Sequence, residues 1–284
     1  MSVSSASSAP TASALPHWSD DAAAYSAPLS QGPVLVLSNK RAFRNPKPYL
    51  QKVEGATTLR CEGVPAEVPA GVQAIGRLPG MEQVRSVEWS WKGPLEGDEH
   101  LLMNFLEAPA FSNLDTLWLD GAPTTDGGVQ RRSGRFLAQL AKADRLPSCH
   151  FHIDALNIDI HAIRTMRAWE GFGSLLSWRL TQTEGGRRWG RFLSTLPADN
   201  QLRYLEISHS DLGDEGLSAL LEQPLPHLER LVLQAVGLTD KAAEQLLAWD
   251  GLEQLQWLDL SGNNLSTDIG KRLKARLGEG LRQG

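Results

Sequence analysis

The stretch Leu-Gln-Trp-Leu-Asp-Leu-Ser-Gly-Asn-Asn-Leu, residues 255–265, decides the fold of this 284-residue chain. Leu255, Leu258 and Leu260 have the spacing of a short strand whose inward positions are apolar. Asn263 follows where a buried side-chain amide can hydrogen-bond with the backbone of a turn. The stretch therefore predicts a strand and a turn, and the same pattern should recur if the chain is a repeat protein.

The pattern does recur upstream, at a nearly constant spacing. It consists of an apolar residue, two variable residues, an apolar residue, one variable residue and an apolar residue, with one or two substitutions in the early copies. Consecutive copies start 26 to 34 residues apart, a period that suits one strand plus one helix. The period is stronger support than any single copy, because isolated LxxLxL segments are common in Leu-rich proteins. The copies start at Ala56, Val84, Leu114, Ser148, Leu175, Leu202, Leu228 and Leu255.

The second half of each C-terminal copy has the spacing of an amphipathic helix. Leu212, Gly216 and Leu220 lie four residues apart and so share one side of a helix. Thr239 and Ser266 precede the next two helical patterns, and their side-chain oxygens can accept from the unpaired N–H groups of a first turn. Each copy is therefore predicted to be a strand followed by a helix whose apolar side packs on the strands.

Repeats of this length and pattern resemble the long α/β leucine-rich repeats of the ribonuclease-inhibitor type, over residues 56–277. The resemblance implies an α/β solenoid, or horseshoe, in which a parallel sheet lines the concave side and helices cover the convex side. It is specific for this architecture and not for a function. The loose, Ala- and Trp-rich repeats also suggest a bacterial source.

One position departs from that family. The residue that is Asn or Cys in the turn of leucine-rich repeats is Asn only in the last copy, at Asn263. Either the upstream turns are satisfied by other groups, or the register of the early copies differs by one residue. The corresponding residues are Val64, Lys92, Ala122, Leu156, Thr183, Ser210 and Val236.

Three regions are predicted along the chain. Residues 1–30 are dominated by Ser, Ala and Pro, which cannot bury enough apolar area to offset the entropy of ordering, so we expect a disordered tail. Residues 31–55 contain a strand candidate at 34–37, followed by basic residues among prolines, and are predicted to cap the first repeat. Residues 56–284 form the leucine-rich-repeat domain of about eight repeats.

Composition narrows the classes of function. A hydrophobic content of 41% is enough for a core, and a formal net charge of −5 argues against a general nucleic-acid-binding surface. The two cysteines exclude a disulfide scaffold. No apolar run reaches the length of about 18 residues that a membrane span needs, so no membrane association is expected.

The N-terminus lacks the basic start and the continuous apolar segment of a secretory signal peptide, so we expect a cytoplasmic protein. Its Ser-rich start also resembles the export signals of bacterial effectors that are injected into host cells. Export through a non-Sec route is therefore the alternative. A plain flexible tail explains the composition more simply.

The variable strand positions should project onto the concave face, because side chains alternate along a strand. Large aromatics and arginines at positions that the core does not need are typical of the centre of a protein-binding surface. We therefore predict that a partner protein binds there. The alternative is that these side chains cover one another along an unused surface. The predicted contacts are Trp118, His152, Arg179, Tyr204, Glu206 and Trp257.

A second candidate surface comes from a motif that occurs twice. The pattern RRxGRFLxxL spans residues 131–140 and 187–196, 56 residues apart, or about two periods. Duplication of a two-repeat block explains it, with Phe and Leu facing the core and the arginines at the helix start. The functional alternative is a basic rim for phosphate or an acidic partner, formed by Arg131, Arg132, Arg187 and Arg188.

One patch supports a different class of function. His150, His152 and Asp154 alternate along one strand and share its exposed face, and Asp120 should lie on the adjacent strand. These residue types are ligands that zinc prefers, which would make the chain a metal-binding protein or a metal-dependent enzyme. Surface His-x-His pairs are common, however, and no catalytic motif is found. The main prediction is therefore a protein–protein interaction module without enzymatic activity or a cofactor.

Overall fold

The computed structural model describes residues 33–38, 40–46, 48, 55–64, 69–91, 99–121, 132–133, 135–158, 160–183 and 185–282. Within these ranges each turn of the chain adds one strand to a parallel sheet, and most turns add a helix on the other side. This is the predicted α/β solenoid. The predicted disordered tail, residues 1–30, lies outside the described residues, and the division at residue 56 between a cap and a repeat domain stays a prediction.

All strands in the described residues pair in parallel. They are β1 (Val34–Leu37), β2 (Thr58–Val64), β3 (Ser86–Trp91), β4 (Thr116–Asp120), β5 (Arg132–Ser133), β6 (His150–Asp154), β7 (Leu156–Asn157), β8 (Ser177–Thr181), β9 (Tyr204–Ser208), β10 (Arg230–Val232), β11 (Trp257–Asp259) and β12 (Leu281–Arg282). Ten of these described strands form one sheet in chain order, whereas β5 and β7 pair only with each other. The predicted strand at 34–37 is confirmed as β1, and β12 covers the opposite edge of the sheet.

Helices connect most neighbouring strands. The predicted apolar side of the Leu212 copy is confirmed, because Leu212, Gly216 and Leu220 are buried. The predicted caps are also confirmed, since the hydroxyls of Thr239 and Ser266 each accept a hydrogen bond from an N–H of the following turn. The helices are α1 (Lys40–Arg44), α2 (Pro69–Ile75), α3 (Glu99–Leu106), α4 (Phe136–Lys142), α5 (Ile160–Met166), α6 (Arg187–Leu193), α7 (Gly213–Leu221), α8 (Asp240–Ala248) and α9 (Thr267–Leu277). Short 3₁₀ helices span Met81–Gln83, Pro109–Phe111, Glu170–Ser174, Asp250–Gln254 and Gly278–Gly280.

Helix starts in the C-terminal repeats are also held from the preceding repeat. Asp214, in the first turn of α7, accepts hydrogen bonds from the N–H and the hydroxyl of Thr239 at 2.9 and 2.6 Å. Asp240, in the first turn of α8, accepts from the N–H of Ser266 at 2.7 Å. Because Thr239 and Ser266 are the N-caps of α8 and α9, a carboxylate on one helix fixes the first residue of the next.

The register of the sheet confirms the predicted alignment of the copies. A slip of one residue would turn the buried leucines of a strand toward solvent, so the apolar pattern fixes the pairing. The early copies are in register, and their turns must therefore be satisfied by groups other than Asn. The central row of the concave face runs, one residue per strand, through Arg60, Glu88, Trp118, His152, Arg179, Glu206, Val232 and Asp259.

Asn263 has the role that its position predicts. Its side-chain oxygen accepts hydrogen bonds from the N–H groups of Val236 and Leu238, at 3.1 and 3.0 Å. Its side-chain nitrogen donates to the carbonyls of Leu233 and Leu260, at 2.6 and 2.9 Å. One amide therefore satisfies four backbone groups and joins the last two repeats.

A hydroxyl takes over this role upstream. Ser210 Oγ accepts from the N–H of Thr183 at 3.1 Å and donates to the carbonyl of Ser208 at 3.0 Å. A hydroxyl has a single donor, whereas an amide nitrogen has two. The turn at Ser210 is thus satisfied by fewer hydrogen bonds than the turn at Asn263.

A left-handed backbone residue follows the strand in five repeats, at Ala155, Gln182, His209, Ala235 and Gly262, with φ between 50° and 72°. In four of them the N–H donates at 2.9 Å to a carbonyl of the next repeat, which continues the hydrogen bonding between repeats beyond the end of the strand. The left-handed region costs residues other than Gly about 1 to 2 kcal/mol. Pairing with the next repeat therefore holds three side-chain types in a conformation that Gly alone adopts freely.

The core lies between the sheet and the helices. It contains inward apolar side chains of the main sheet, mostly leucines, together with the fully buried Trp89, Trp178 and Trp189. The rings of Trp178 and Phe192 pack edge to face, with centroids 5.3 Å apart. Each repeat shares this core with its neighbours, so the repeats stabilise one another.

Candidate functional site

The concave face carries two carboxylates that are each paired with an arginine from the preceding strand. In β8 and β9, Arg179 Nε lies 3.2 Å from Glu206 Oε2. In β2 and β3, Arg60 Nε lies 2.5 Å from Glu88 Oε2. Adjacent parallel strands are about 4.8 Å apart, which brings consecutive residues of the central row within reach of each other.

The pair in the C-terminal half belongs to a closed polar cluster, called here the Glu206 cluster, formed by Arg179, Tyr204, Glu206 and Ser208. The hydroxyl of Tyr204 donates to Glu206 Oε2, and the hydroxyl of Ser208 donates to Glu206 Oε1 at 2.8 Å. Both carboxylate oxygens therefore have partners. Arg179 also lies against Trp118, with its Cζ 5.7 Å from the ring centroid, a cation–π contact.

These contacts correct part of the predicted binding surface. His152, Tyr204 and Glu206 are only 5%, 3% and 6% exposed, because neighbouring side chains of the concave face cover them. The expectation that these residues offer open contacts is wrong. The other predicted contacts, Trp118, Arg179 and Trp257, lie on the concave face and remain part-exposed, so their role in binding stays a prediction.

The two histidines of β6 share one hydroxyl. His150 Nδ1 lies 2.8 Å from Ser177 Oγ, and His152 Nε2 lies 3.3 Å from the same oxygen. Burial lowers the pKa of His150 to about 4 and the pKa of His152 well below its usual value, which Arg179 lowers further. Both imidazoles are therefore neutral at pH 7.

The geometry does not support the metal hypothesis. All four proposed ligands, His150, His152, Asp154 and Asp120, belong to the described residues, and those residues contain no group of three His, Cys, Asp or Glu side chains that could hold a metal ion. The imidazole nitrogens point instead to the hydroxyl of Ser177. Burial, with Asp120 as a second cause, raises the pKa of Asp154 to about 6.

A pocket of about 420 Å³ opens at the N-terminal half of the concave face. It is called here the Glu88 pocket and is lined by Arg60, Glu62, Glu88, Ser90, Trp118 and Asp120, with Cys61 and Trp89. Burial raises the pKa of Glu88, whose side-chain Oε1 has no hydrogen-bond partner among the described residues. The sequence does not predict this pocket, although three acidic side chains on adjacent strands, Glu62, Glu88 and Asp120, are a signal of it.

The arginine motif adopts two different structures. In the second copy, Arg187 and Arg188 begin helix α6 and are exposed, as predicted, and Arg187 Nη1 lies 2.8 Å from Glu215 Oε2. In the first copy, the prediction of arginines at the helix start is wrong. Arg132 lies in β5, which pairs with β7, and α4 begins later, at Phe136. Arg131 lies outside the described residues, so the rim of four arginines stays a proposal.

Sequence comparison relates the chain to a known family. The family model described as Leucine Rich repeat matches residues 199–221. NACHT, LRR and PYD domains-containing protein 12 of Homo sapiens is 44% identical over 82 residues, which are 28% of this chain and 8% of that protein. The match therefore spans only a small part of that relative.

One of two solved structures that resemble this chain reaches a TM-score of 0.50 and agrees with its fold. A crystal structure of a protein from Bacteroides fragilis covers 80% of this chain and 74% of its own chain, with 15% identity and a TM-score of 0.50. The crystal structure of a TLR13–ssRNA13 complex covers 83% of this chain and 36% of its own, with 16% identity and a TM-score of 0.44. The repeated units, the Asn263 turn and the family match over residues 199–221 together identify leucine-rich repeats of the long α/β type in this chain. Of its described helices, none is long and apolar enough to cross a membrane.

Proposed function

We propose that this chain is a protein–protein interaction module that binds a partner protein on its concave face and rim loops, by contact rather than by chemistry. The observation that carries the proposal is the set of part-exposed large side chains at strand positions outside the core. Trp118, Arg179 and Trp257 line this face, and tryptophan and arginine are the residue types that most often dominate binding energy at interfaces.

The concave face also has the mixed character of an interface. In the Glu206 cluster both carboxylate oxygens have partners, whereas the Glu88 pocket beside Trp118 is open to solvent. A partner would therefore meet preorganised side chains in one half and a cavity in the other. Preorganised contacts lose little side-chain entropy on binding, which favours affinity.

The exposed arginines at the start of α6 extend the proposed surface to the rim. The ion pair of Arg187 with Glu215 is largely solvent-exposed, and exposed pairs contribute only about 0 to 1 kcal/mol. An acidic group on a partner can therefore replace Glu215 at little cost. Arg188 is exposed beside it.

Affinity capture tests the proposal with three forms of the full chain. The wild type is compared with a Trp118→Ala/Trp257→Ala variant and with Lys271→Ala/Lys274→Ala, a control on the exposed side of α9. Thermal melts verify that all three are folded. We expect a partner that binds the wild type and the control but is lost from the concave variant, and that binds again after purification. Equal capture by all three forms would overturn the concave face as the binding surface.

The proposed location is the cytoplasm, with export into a host cell as the alternative that the Ser-, Ala- and Pro-rich residues 1–30 suggest. In the exported case the horseshoe would engage a host protein as an effector. A translocation reporter fused behind residues 1–30 tests this alternative. Delivery of the reporter by a secretion-competent strain, and not by a secretion-deficient one, is the expected result for an effector; equal signals would exclude it.

A further inference from the structure

The Glu88 pocket has a composition that points to the chemistry of its occupant. Among the described residues, the carboxylates of Glu62, Glu88 and Asp120 line it together with the guanidinium of Arg60. Arg60 Nη1 also lies 3.9 Å from Glu62 Oε1, so this guanidinium interacts with two of the carboxylates. Carboxylates therefore predominate in the described lining of the pocket.

A buried carboxylate oxygen without a donor independently indicates that the pocket suits a ligand with N–H groups. Glu88 is 7% exposed, and its Oε2 is bound by Arg60 while its Oε1 has no hydrogen-bond partner among the described residues. Asp154 Oδ1 also has no hydrogen-bond partner among the described residues. A buried acceptor without a donor costs about 1 to 3 kcal/mol, and more when the group is charged. A ligand that supplies N–H donors here would recover that free energy.

The pocket also has an aromatic wall. Trp118 lines it and is part-exposed, and Arg179 already lies 5.7 Å from the centroid of the same indole. Tryptophan is the side chain that attracts cations most strongly through its ring. A planar guanidinium suits such a site, because it can donate to carboxylates with its edge while it stacks on a ring with its face.

We propose that the Glu88 pocket receives an arginine side chain of the partner protein, whose guanidinium donates to Glu88 and Asp120 and stacks beside Trp118. This inference rests on the proposed function and names the chemistry of its partner. A volume of about 420 Å³ that opens onto the concave face admits one long side chain from a bound protein. The described residues offer no group of three metal-ligating side chains, which favours an organic cation over a metal ion.

The test uses the full chain labelled with ¹⁵N and two probes, N-acetyl-arginine methylamide and its neutral counterpart N-acetyl-citrulline methylamide. Both probes have the same length and shape, but only the first is charged. We expect the arginine probe to shift the indole N–H signal of Trp118, and to leave that of Trp257, on β11, in place. The citrulline probe should shift neither. The arginine response should weaken as salt is added, because exposed charges are screened.

Matched variants connect the response to the pocket. Glu88→Gln/Asp120→Asn keeps the shape and removes two charges, and should weaken the apparent affinity for the arginine probe about tenfold. Asp250→Asn, an exposed acidic residue outside the pocket, is the control and should leave the affinity unchanged. Thermal melts verify folding. Equal shifts with both probes, or equal affinity in the double variant, would overturn the inference.

The two proposals fail in different ways. A chain whose partner is lost from the Trp118→Ala/Trp257→Ala variant, but which shows no arginine-specific shift, keeps the proposed function and loses this inference. A chain that binds the arginine probe, but captures the same proteins with and without its concave tryptophans, loses the proposed function and with it the partner as the source of the arginine.

Discussion

The Glu88 pocket and the Glu206 cluster are two versions of the same arrangement. In each, a carboxylate of the central row is almost fully buried and is paired with the arginine one strand earlier. The difference lies two residues away on the same strand. Glu206 is flanked by the hydroxyls of Tyr204 and Ser208, which both donate to it.

At Glu88 the flanking residues are Ser86 and Ser90, and neither satisfies the carboxylate. Ser86 Oγ has no partner among the described residues, and Ser90 Oγ accepts a hydrogen bond from the N–H of Gly63 at 3.0 Å. The comparison shows that an Arg–Glu pair does not decide whether a site is closed. The residues before and after the carboxylate decide it, and they leave one half of the face complete and the other half open to a ligand.

The largest loss of stability is expected from a substitution in the core beneath the concave face. Leu231 is fully buried in the core that both regions share, so Leu231→Ala should lower the free energy of unfolding by about 2 to 5 kcal/mol. Neighbouring repeats should unfold with it. Urea denaturation followed by circular dichroism measures the loss, and a variant as stable as the wild type would refute the assignment of this leucine to the core.

The second prediction compares how much the carboxylates of Glu206 and Glu88 contribute to the free energy of unfolding. Glu206→Gln should cost about 2 to 3 kcal/mol, because it disturbs Arg179, Tyr204 and Ser208 together. Glu88→Gln should cost less than about 1 kcal/mol, because one of its oxygens has no donor to lose and Arg60 remains in contact with solvent. Urea denaturation of both variants gives the two values. Equal costs would remove the distinction between a closed and an open half.

The third prediction concerns the strand between the two regions. The folded-state pKa of His150 is about 4, below the value of about 6.5 in an unfolded chain, so the unfolded state binds more protons between these pH values. Stability should therefore fall by about 1 to 3 kcal/mol as pH is lowered through this window. The pKa of His152 is lowered as well and acts in the same direction.

Two variants assign this pH dependence. His150→Gln should reduce the loss of stability at low pH. Asp154→Asn should steepen it, because the raised pKa of Asp154, about 6, makes the folded state bind the extra proton and opposes the histidines. Urea denaturation between about pH 4 and pH 7 gives the slopes. The same slope in the wild type and both variants would contradict the shifted pKa values of His150 and Asp154.

A loss of stability much smaller than that of Leu231→Ala is expected at the boundary of the two regions. Trp118→Ala removes a part-exposed ring and its contact with Arg179, and should cost about 1 kcal/mol. Thermal melts beside Leu231→Ala provide the ranking. The reverse order would mean that the inward and outward positions of the strands have been exchanged.

Much of the fold can be predicted from the sequence, because the apolar residues that define its strands and helices recur at regular spacing. The apolar spacing predicted every strand of the central row in its observed register, from Arg60 to Asp259. Asn263 and the caps Thr239 and Ser266 were also predicted, since each acts on backbone groups nearby in the repeat. The left-handed turn was readable only at Gly262, because Gln182 and His209 are held there by pairing with the next repeat.

Less of the candidate site could be predicted from the sequence. The position of a residue along a strand defines the face on which its side chain lies, but not which neighbouring side chains cover it. Tyr204 and Glu206 lie on the predicted face but bury each other. The histidines of β6 had the spacing of metal ligands, yet the hydroxyl of Ser177, from the next strand, lies between them. Arg132 has the motif position of Arg188 but lies in β5, which pairs with β7. Each difference arises from a contact between repeats.

The carboxylates that hold the helix starts give the solenoid a direction of growth. Thr239 binds to Asp214, and Ser266 binds to Asp240, so each new helix begins on a group that the previous repeat already presents. During synthesis the previous repeat leaves the ribosome first. Each folded repeat of this region thus already presents the carboxylate to which the first residue of the next helix binds. The repeats can therefore fold in the order in which they are synthesised.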